Sequence, residues 1–369
     1  MNKYCYGCGA LLQTTDKKAI GYVPKIFADK PMLCWRCYRS IHHHEFKQVT
    51  LSAAAFTKMI DDNITRQNLI VLVIDLFDIS SSFNEDVFKY LKNNRLLIVA
   101  NKRDLILKNV NDNKIKRYLK AYAQEYSANV VDIIITSAQK NYHIDELLGA
   151  IFKYHNGYHV YFLGLSNVGK SSLVNAILQS QAINEQLITV SNFLNTTLEM
   201  IEIPLLDNVS LLDMPGLNYQ GQMIHYLKVD DLKYVDTKKE IKARTYQLEP
   251  RQSVYLGGLA CFSYVAGQVR KGFTFYLNNP IALHRAKYDE SYLLYDKHRH
   301  DELLVPKACN VMTAADFVKH HLIMDHEARL DIIIAGLGWI SFKANANDEI
   351  ILALPPHVGY TIRKALLNG

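Results

Sequence analysis

An eight-residue run, Gly164-Leu165-Ser166-Asn167-Val168-Gly169-Lys170-Ser171, has the spacing of a phosphate-binding loop. Its glycines allow backbone N–H groups to wrap phosphate oxygens, and the N-terminus of a following helix adds a favourable dipole. In this pattern Lys170 reaches the β- and γ-phosphates, and the Ser171 hydroxyl binds Mg²⁺. A glycine-rich turn without a ligand is the alternative. The predicted nucleotide-binding residues of this loop are Gly164, Asn167, Val168, Gly169, Lys170, Ser171 and Ser172.

A second motif, Asp213-Met214-Pro215-Gly216, follows the apolar run 209–212, which predicts an aspartate at the carboxyl end of a strand. Ligands of α/β sheets bind at that end. We expect Asp213 to hold Mg²⁺ through water and the Gly216 N–H to contact the γ-phosphate. Thr197 would join the metal when its loop closes. Each of these residues, taken alone, also fits an ordinary turn or strand end.

Two further motifs point to guanine. Asn101-Lys102-Arg103-Asp104 follows the apolar run 96–100, and Thr136-Ser137-Ala138 follows the run 130–135. A carboxylate accepts two hydrogen bonds side by side from the guanine N1–H and exocyclic amine, a pattern that adenine does not offer. Asp104 is therefore the predicted determinant of base specificity, and Asn101, Lys102, Ser137 and Ala138 complete the predicted base site. GTP or GDP is the predicted ligand.

Four cysteines near the N-terminus form two Cys-x-x-Cys pairs, Cys5 with Cys8 and Cys34 with Cys37. Four thiolates saturate a tetrahedral zinc ion and leave no open position for a substrate, so the pattern predicts a structural zinc site. Two disulfides are the alternative, and they are disfavoured in a reducing cytosol. Cys261 and Cys309 have no partner at metal-ligand spacing, and we predict that both are packing residues.

The elements that must position these motifs divide the chain into three predicted domains. Residues 1–50 form the zinc-binding module. Residues 51–222 alternate short apolar runs with helix-compatible segments, which is typical of a mostly parallel α/β sheet. Residues 223–369 are rich in tyrosine and glycine, with alternating stretches, a turn at 336–339 and a predicted terminal helix at 361–367. This pattern favours an α+β domain.

Composition sets broader limits on function. Hydrophobic residues make up 49% of the chain and charged residues 21%, an ordinary globular balance. No apolar run approaches the ~20 residues of a membrane span, and the first residues have no signal-peptide core. We therefore expect a cytoplasmic protein without membrane contact. The net charge of +6 slightly favours polyanionic partners.

The C-terminal region also contains a candidate RNA-binding pattern. Cations and aromatic rings are mixed at Arg270, Lys271, Phe273, Phe275 and Tyr276, and a basic stretch covers residues 284–300. Cations contact phosphates, and rings stack on unpaired bases. The alternative is a half-buried sheet followed by a solvated helix.

With these motifs the sequence resembles the YqeH family of circularly permuted, ribosome-assembly GTPases, and the resemblance covers the whole chain. Ordinary GTPases of this superfamily carry the phosphate loop first, whereas here residues 101–104 and 136–138 precede residues 164–171 and 213–216. The resemblance implies an α/β fold: a circularly permuted P-loop GTPase domain flanked by an N-terminal four-cysteine zinc module and a C-terminal α+β domain. It also implies that the small ribosomal subunit or its precursor, and ribosomal RNA, are the partners.

Two departures from the family pattern bear on catalysis. Family members commonly have Pro-Gly before the paired threonines, whereas this chain has Leu194-Asn195, which leaves Thr196 as an alternative to Thr197. Leu217 follows Gly216, where many GTPases have a glutamine that orients the attacking water. The resemblance to GTPases with asparagine in the phosphate loop implies that Asn167 helps to hold K⁺ as a substitute positive charge. A loop-stabilising hydrogen bond is the alternative role of Asn167.

The sequence thus predicts a slow, regulated GTPase that hydrolyses GTP to GDP and phosphate and acts as a nucleotide-switched assembly factor for the small ribosomal subunit. Its predicted cofactors are GTP or GDP, Mg²⁺, Zn²⁺ and K⁺. One alternative is a GTP-binding scaffold with little hydrolysis, which Leu217 keeps open. Another is a GTP-regulated partner in RNA modification. The predicted catalytic residues are Lys170, Thr197, Asp213, Gly216 and Asn167.

Overall fold

The computed structural model describes residues 12–16, 22–24, 50–51, 53–83, 88, 91, 94–184, 201–206, 208–217, 219–307 and 313–367. The chain divides into two units. The first consists of Met1–Ile74, Phe88–Asn101 and Gln124–Asn218, and the second of Asp75–Val87, Lys102–Ala123 and Tyr219–Gly369. The predicted boundaries of three domains at residues 50 and 222 remain predictions.

Short, mostly apolar segments form the strands of the first unit. These strands are β1 (Thr50–Leu51), β2 (Leu69–Asp75), β3 (Arg95–Asn101), β4 (Val130–Ile135), β5 (Val160–Leu163), β6 (Ile201–Leu206), β7 (Val209–Asp213) and β8 (Gly216–Leu217). β1 pairs with β8, and the other six form one sheet in the order β4-β3-β2-β5-β7-β6. Residues 69–74 and 96–100 are at most 1% exposed, as expected for central strands with both faces covered.

The order of this sheet confirms the predicted α/β architecture of the GTPase domain. β5 pairs in parallel with β2 and β7, and β3 pairs in parallel with β4, whereas β6 is antiparallel to β7. β5 leads into the phosphate loop. The two strands that end at the guanine motifs, β3 and β4, lie on one side of β5 although they precede it in the sequence.

The described helices lie in the segments that separate the strands. They are α1 (Ala53–Asn63), α2 (Ile79–Ser82), α3 (Asp112–Glu125), α4 (Ile144–Tyr154), α5 (Lys170–Asn184) and, in the C-terminal region, α6 (Tyr288–His298). α4 buries Ile144, Leu147, Leu148 and Ile151, which recur at helical spacing on one face. None of the helices in the described part of the chain is long and apolar enough to cross a membrane.

The second unit is dominated by strands. They are β9 (Arg244–Leu248), β10 (Gln252–Leu256), β11 (Ala260–Ala266), β12 (Lys271–Leu277), β13 (Leu283–Lys287), β14 (Val318–Ile323), β15 (Ala328–Ile334), β16 (Gly338–Ala344), β17 (Glu349–Leu354) and β18 (Tyr360–Lys364). They form two five-stranded sheets, in the orders β13-β10-β11-β17-β14 and β18-β15-β16-β12-β9. For residues 223–369 the predicted α+β character is therefore corrected to a mainly β region, in whose described part α6 is the one α-helix.

Both sheets of the second unit contribute to one core. Phe262 on β11 packs with Phe273 and Phe275 on β12, at ring separations of 4.9 and 5.8 Å. The opposite face of β11 carries Cys261, which lies in a second cluster with Tyr295 of α6. The alternating pattern of β11 is thus buried on both faces, and the prediction that Cys261 is a packing residue is confirmed.

The predicted terminal helix at 361–367 is wrong. Tyr360–Lys364 is strand β18, which pairs antiparallel with β15 and places Ile362 opposite Ile332. Tyr, Thr and Ile favour strands, and the edge of β15 supplies hydrogen-bond partners that a short helix would lack. The predicted turn at 336–339 is confirmed as the connection between β15 and β16, with Gly336 at a φ of +72°.

Candidate functional site

The phosphate loop lies between β5 and α5 in the first unit. Gly164 and Gly169 have φ values of +152° and +93°, and a Cβ atom would collide with the Val73 carbonyl oxygen at Gly164 and with the Asn101 amide at Gly169. Only glycine meets both requirements. Asn167 also lies in the left-handed region, at a φ of 65°. The loop therefore has the tight, glycine-dependent geometry that exposes backbone N–H groups to phosphate.

Lys170 is buried and bound to its own loop. Its Nζ donates hydrogen bonds to the carbonyl oxygens of Gly164 (3.1 Å) and Leu165 (3.0 Å). Burial lowers the pKa of Lys170 to about 8, although the charge of Asp213 opposes this effect. The charged form of a desolvated ammonium group with two neutral acceptors is strongly stabilised when a phosphate anion binds beside it.

Ser171 and Asp213 form the candidate magnesium corner. The Ser171 Oγ donates to Asp213 Oδ2 at 2.9 Å, which joins the start of α5 to the end of β7. Asp213 Oδ1 is buried and has no hydrogen-bond partner among the described residues. Burial raises the pKa of Asp213, whereas Lys170 and Ser171 lower it. A hydroxyl and a carboxylate with one unpartnered oxygen are hard oxygen donors of the kind that Mg²⁺ prefers, so these residues fit the ion.

Strand β8 runs beside the phosphate loop. The Leu217 N–H donates to the Gly164 carbonyl at 3.2 Å, and the Leu217 carbonyl accepts from the Ser166 N–H at 3.0 Å. A Cβ atom on Gly216 would lie 2.8 Å from Ser166 Oγ, so glycine permits this close approach. The Leu217 side chain is buried, which agrees with its inability to orient water.

Asn101 ties three loops of the first unit together. Its Nδ2 donates to the Val168 carbonyl at 3.0 Å, and its Oδ1 accepts from the Ala138 N–H at 3.1 Å and the Thr136 hydroxyl at 3.4 Å. Asn101 is 2% exposed. The sequence predicts a nucleotide contact for Asn101, and the structure shows a residue that fixes the phosphate loop and the Thr136-Ser137-Ala138 motif in one arrangement. The Ser137 hydroxyl accepts from the Lys140 N–H at 3.2 Å and caps a 3-10 turn.

The remaining guanine-motif residues belong to the second unit. Asp104 lies on a 3-10 turn, Arg103–Leu105, and Lys102 precedes it at a φ of 65°. Lys102 Nζ forms a salt bridge of 2.7 Å with Asp75 at the end of β2. The sequence analysis missed Asp75, although a carboxylate that ends an apolar strand is the same signal that identified Asp213.

Arg103 holds the turn that carries Asp104. Its Nε donates to Asp112 Oδ1 at 2.6 Å, and its NH2 nitrogen donates to the Val110 carbonyl at 2.6 Å. A guanidinium group with several acceptors restrains a loop more firmly than an ammonium group does. No spacing in the sequence indicates this role, because the partners of Arg103 are mostly backbone carbonyls.

Part of the predicted site lies outside the described residues. Thr197, the four candidate zinc ligands and Cys309 all belong to this group, so their roles remain predictions. Within the described ranges no group of three or more His, Cys, Asp or Glu side chains has a metal-binding arrangement.

The candidate RNA-binding pattern is partly wrong. Phe273 and Phe275 are fully buried and Tyr276 is 3% exposed, so these rings cannot stack on bases. Lys271 forms a buried salt bridge with Asp348. Arg270 is exposed. Alternation had indicated the strand, but it did not show that the second sheet covers its aromatic face.

Comparison with known proteins matches two consecutive segments of the chain to family models. Residues 159–253 match the family model described as a 50S ribosome-binding GTPase, and residues 270–366 match the model described as YqeH-like, C-terminal. The chain is 35% identical over 364 residues to the "Uncharacterized protein YqeH" of Bacillus subtilis, which covers 98% of this chain and 99% of that protein.

More distant relatives extend the comparison. The "NO-associated protein 1, chloroplastic/mitochondrial" of Arabidopsis thaliana is 25% identical over 92% of this chain and 69% of its own length. The "GTPase Der" of Aquifex aeolicus is 31% identical over 174 residues, which are 43% of this chain and 37% of that protein. Because this last match covers less than half of either protein, it supports a GTPase domain and nothing beyond it.

Proposed function

Because this chain belongs to the YqeH family of GTPases, we propose that it hydrolyses GTP to GDP and phosphate and that its nucleotide state times its binding to the small ribosomal subunit or its precursor. The observation that carries the hydrolysis proposal is the Ser171–Asp213 contact beside the buried Lys170. Hydroxyl, carboxylate and ammonium groups meet there at the carboxyl end of the sheet. This is the set of groups that positions and neutralises a transferring phosphoryl group.

Each residue has a separate task in this mechanism. Bound Mg²⁺ would neutralise charge on the β- and γ-phosphates, and Ser171 and Asp213 would hold it. The loop N–H groups and Lys170 orient the phosphates. Asp104 selects guanine, and Gly216 allows strand β8 to approach the loop. The proposed roles of Thr197 as a further metal ligand and of Asn167 as a K⁺ ligand follow from the family pattern.

The buried Leu217 favours slow intrinsic hydrolysis. Without a side chain that orients water, a fixed cation must stabilise the negative charge that develops in the transition state. We expect faster hydrolysis in K⁺ than in Na⁺ and expect Asn167→Ala to remove that difference. Equal rates in the two salts with the unmodified protein would exclude the potassium role.

A ribosomal partner is supported by the match to a family described as a 50S ribosome-binding GTPase. That description names the large subunit, whereas the YqeH resemblance implies the small one. Cosedimentation with purified 30S and 50S subunits, in GDP and in a non-hydrolysable GTP analogue, separates the two. We expect the protein to bind the 30S subunit with an affinity that depends on the nucleotide, and we expect Lys170→Ala to abolish that dependence. Equal binding in both nucleotides would contradict the timing role.

The second candidate is a GTP-binding scaffold or a GTP-regulated partner in RNA modification. Leu217 is the observation that favours it, since it removes the usual water-orienting group. GTP turnover with and without subunits distinguishes the candidates. Stimulation by a subunit supports a GTPase timer, and persistent GTP binding without turnover supports the scaffold.

We also propose that Cys5, Cys8, Cys34 and Cys37 hold one structural zinc ion and that the protein works in the cytoplasm. The paired cysteine spacing supports the zinc site. Metal analysis of protein freshly purified without a chelator should give one zinc ion per chain. The Cys34→Ala variant should lose this zinc and still bind GDP. Zinc-free protein would contradict the proposal.

A further inference from the structure

The turn that follows β2 is connected to the guanine-motif lysine within the second unit. Asp75 Oδ2 accepts from Lys102 Nζ at 2.7 Å, and Asp75 Oδ1 accepts from the Phe77 N–H at 2.8 Å. The Asp78 N–H donates to the Asp75 carbonyl at 3.0 Å. Residues 75–78, which we call the relay turn, therefore form a closed turn whose first residue holds Lys102.

The far end of the relay turn is bound to the hairpin between β15 and β16. Asp78 Oδ2 accepts from the Gly336 N–H at 2.9 Å and from Gln222 Nε2 at 3.0 Å. Phe77 packs edge-on against Trp339 of the same hairpin, with ring centroids 5.8 Å apart. Asp78 is 6% exposed, so these hydrogen bonds are shielded from competing water.

A second connection reaches the segment that carries Asp104. The Leu105 carbonyl accepts from the Ile241 N–H at 2.9 Å, and the Lys108 N–H donates to the Glu240 carboxylate at 3.0 Å. Residues 102–105 are thus held on one side by the relay turn and on the other by the segment before β9. Nothing in the usual role of a guanine motif requires either contact.

We propose that Asp78 is a positioning residue for guanine recognition, because it fixes the relay turn to the C-terminal hairpin and so holds Lys102 in place. This inference rests on the proposed binding of guanine nucleotide by Lys102 and Asp104. GDP and GTP share the base, so the relay sets the affinity for both nucleotides by the same factor. Coupling through the γ-phosphate would instead change the ratio of the two affinities.

The test measures dissociation constants for GDP and for a non-hydrolysable GTP analogue with the full-length protein. Asp78→Ala removes the acceptor of two partly buried donors, and we expect both affinities to fall about tenfold with an unchanged ratio. Asp78→Asn keeps one oxygen acceptor and should recover most of the affinity. The control is Tyr295→Phe, which removes a buried hydrogen bond of 3.0 Å to the Gly258 carbonyl elsewhere in the second unit.

A double-mutant cycle tests the route through Lys102. If Asp78 acts through this lysine, Asp78→Ala should cost no further affinity in a Lys102→Ala background, whereas independent effects would multiply. Gln222→Ala removes one of the two donors to Asp78 and should give a smaller loss in the same direction. If Asp78→Ala folds poorly, Gln222→Ala tests the same contact in its place.

The outcomes are distinguishable. Unchanged affinity in Asp78→Ala, or effects that multiply in the cycle, would overturn the relay. A loss of the same size in Tyr295→Phe would show a general effect of destabilisation and would also overturn it. If the unmodified protein binds neither GDP nor the analogue, the proposed function fails instead of the relay.

Discussion

Buried charges are satisfied differently at the phosphate loop and in the C-terminal sheets. At the loop, Asp213 has one oxygen bonded to Ser171, and its other oxygen has no partner in the described part of the chain. Among the described residues, Lys170 donates only to carbonyl oxygens of its own loop. Such groups lose their hydration without full compensation, which raises the free energy of the ligand-free protein.

In the C-terminal sheets, by contrast, buried carboxylates are fully paired. Asp348 bonds Lys271, the Tyr264 hydroxyl and the Asn345 N–H. Asp331 bonds the Ser341 hydroxyl, Arg363 and the Leu366 N–H. In both networks each carboxylate oxygen is bonded within the fold, and none is left for a ligand. Buried charged groups with unused bonding capacity are typical of a ligand site, whereas fully bonded ones are typical of groups that specify the fold.

The largest effects should come from comparing two buried lysines. Lys170→Met should weaken GDP and GTP binding by about 100-fold or more, because losing one partner of a buried charge pair costs about 3 kcal/mol or more. Lys271→Met should lower the free energy of unfolding by about 3–5 kcal/mol, since it leaves the buried Asp348 without its counter-ion, and it should leave nucleotide affinity unchanged. Chemical denaturation and nucleotide titration measure the two quantities. Equal loss of stability in both variants would contradict the separate roles of the two lysines, one in binding a ligand and one in stabilising the fold.

Two isosteric aspartate substitutions should have opposite effects on the free energy of unfolding. Asp331→Asn should destabilise the protein by about 2 kcal/mol, because an amide presents a donor to groups that donate. Asp213→Asn should not lower, and should slightly raise, the unfolding free energy of the nucleotide-free protein. Burial raises the pKa of Asp213, so its ionisation opposes folding as pH rises above its ordinary value.

The same Asp213→Asn variant should lose the Mg²⁺ dependence of nucleotide binding. GDP titrations with Mg²⁺ and with a chelator measure this difference, and the unmodified protein is the reference. A variant that keeps full Mg²⁺ dependence would remove Asp213 from the metal corner.

A smaller effect should appear in the pH dependence of binding. Burial lowers the pKa of Lys170 to about 8 in the ligand-free loop, and phosphate binds the charged form. Affinity should therefore be nearly full at pH 7 and below, about half at pH 8, and should fall about tenfold per pH unit well above pH 8. Calorimetry in buffers of different ionisation enthalpy should show lysine proton uptake rising from about 0.1 at pH 7 to about 0.5 at pH 8. Uptake that does not rise would contradict this assignment.

Local sequence patterns predicted the GTPase sheet better than the C-terminal region. Continuous apolar runs such as 160–163 and 209–212 mark buried strands, and the motifs follow them directly, so the contact between Ser171 and Asp213 was predictable. The strand β18 was mistaken for a helix because its partner β15 lies about 30 residues earlier, and a short apolar run does not reveal such pairing. Asp78 accepts from groups far along the chain, and Arg103 donates mainly to nearby backbone carbonyls. No residue spacing in the sequence encodes either set of contacts.

The smallest effect should come from Cys261, a nucleophile enclosed by the C-terminal sheets. Its thiol is 1% exposed beneath α6, and burial raises its pKa to about 11. Because only the accessible thiolate reacts with alkylating reagents, Cys261 should stay unmodified in the native protein at pH 8 and react after unfolding. Cys261→Ala should cost about 1 kcal/mol of stability and leave GDP affinity unchanged.

Peptide mapping by mass spectrometry distinguishes Cys261 from the other cysteines, and labelling of Cys261 in the unfolded protein provides the reference for reagent activity. Rapid labelling of Cys261 in the native state would mean that the core beneath α6 opens on the timescale of the reaction. The core of the C-terminal sheets would then be dynamic. Only the pairing of its buried charges would distinguish it from the phosphate loop. Protection of Cys261 that is the same with and without GDP would place this core among the parts of the protein that the nucleotide does not alter.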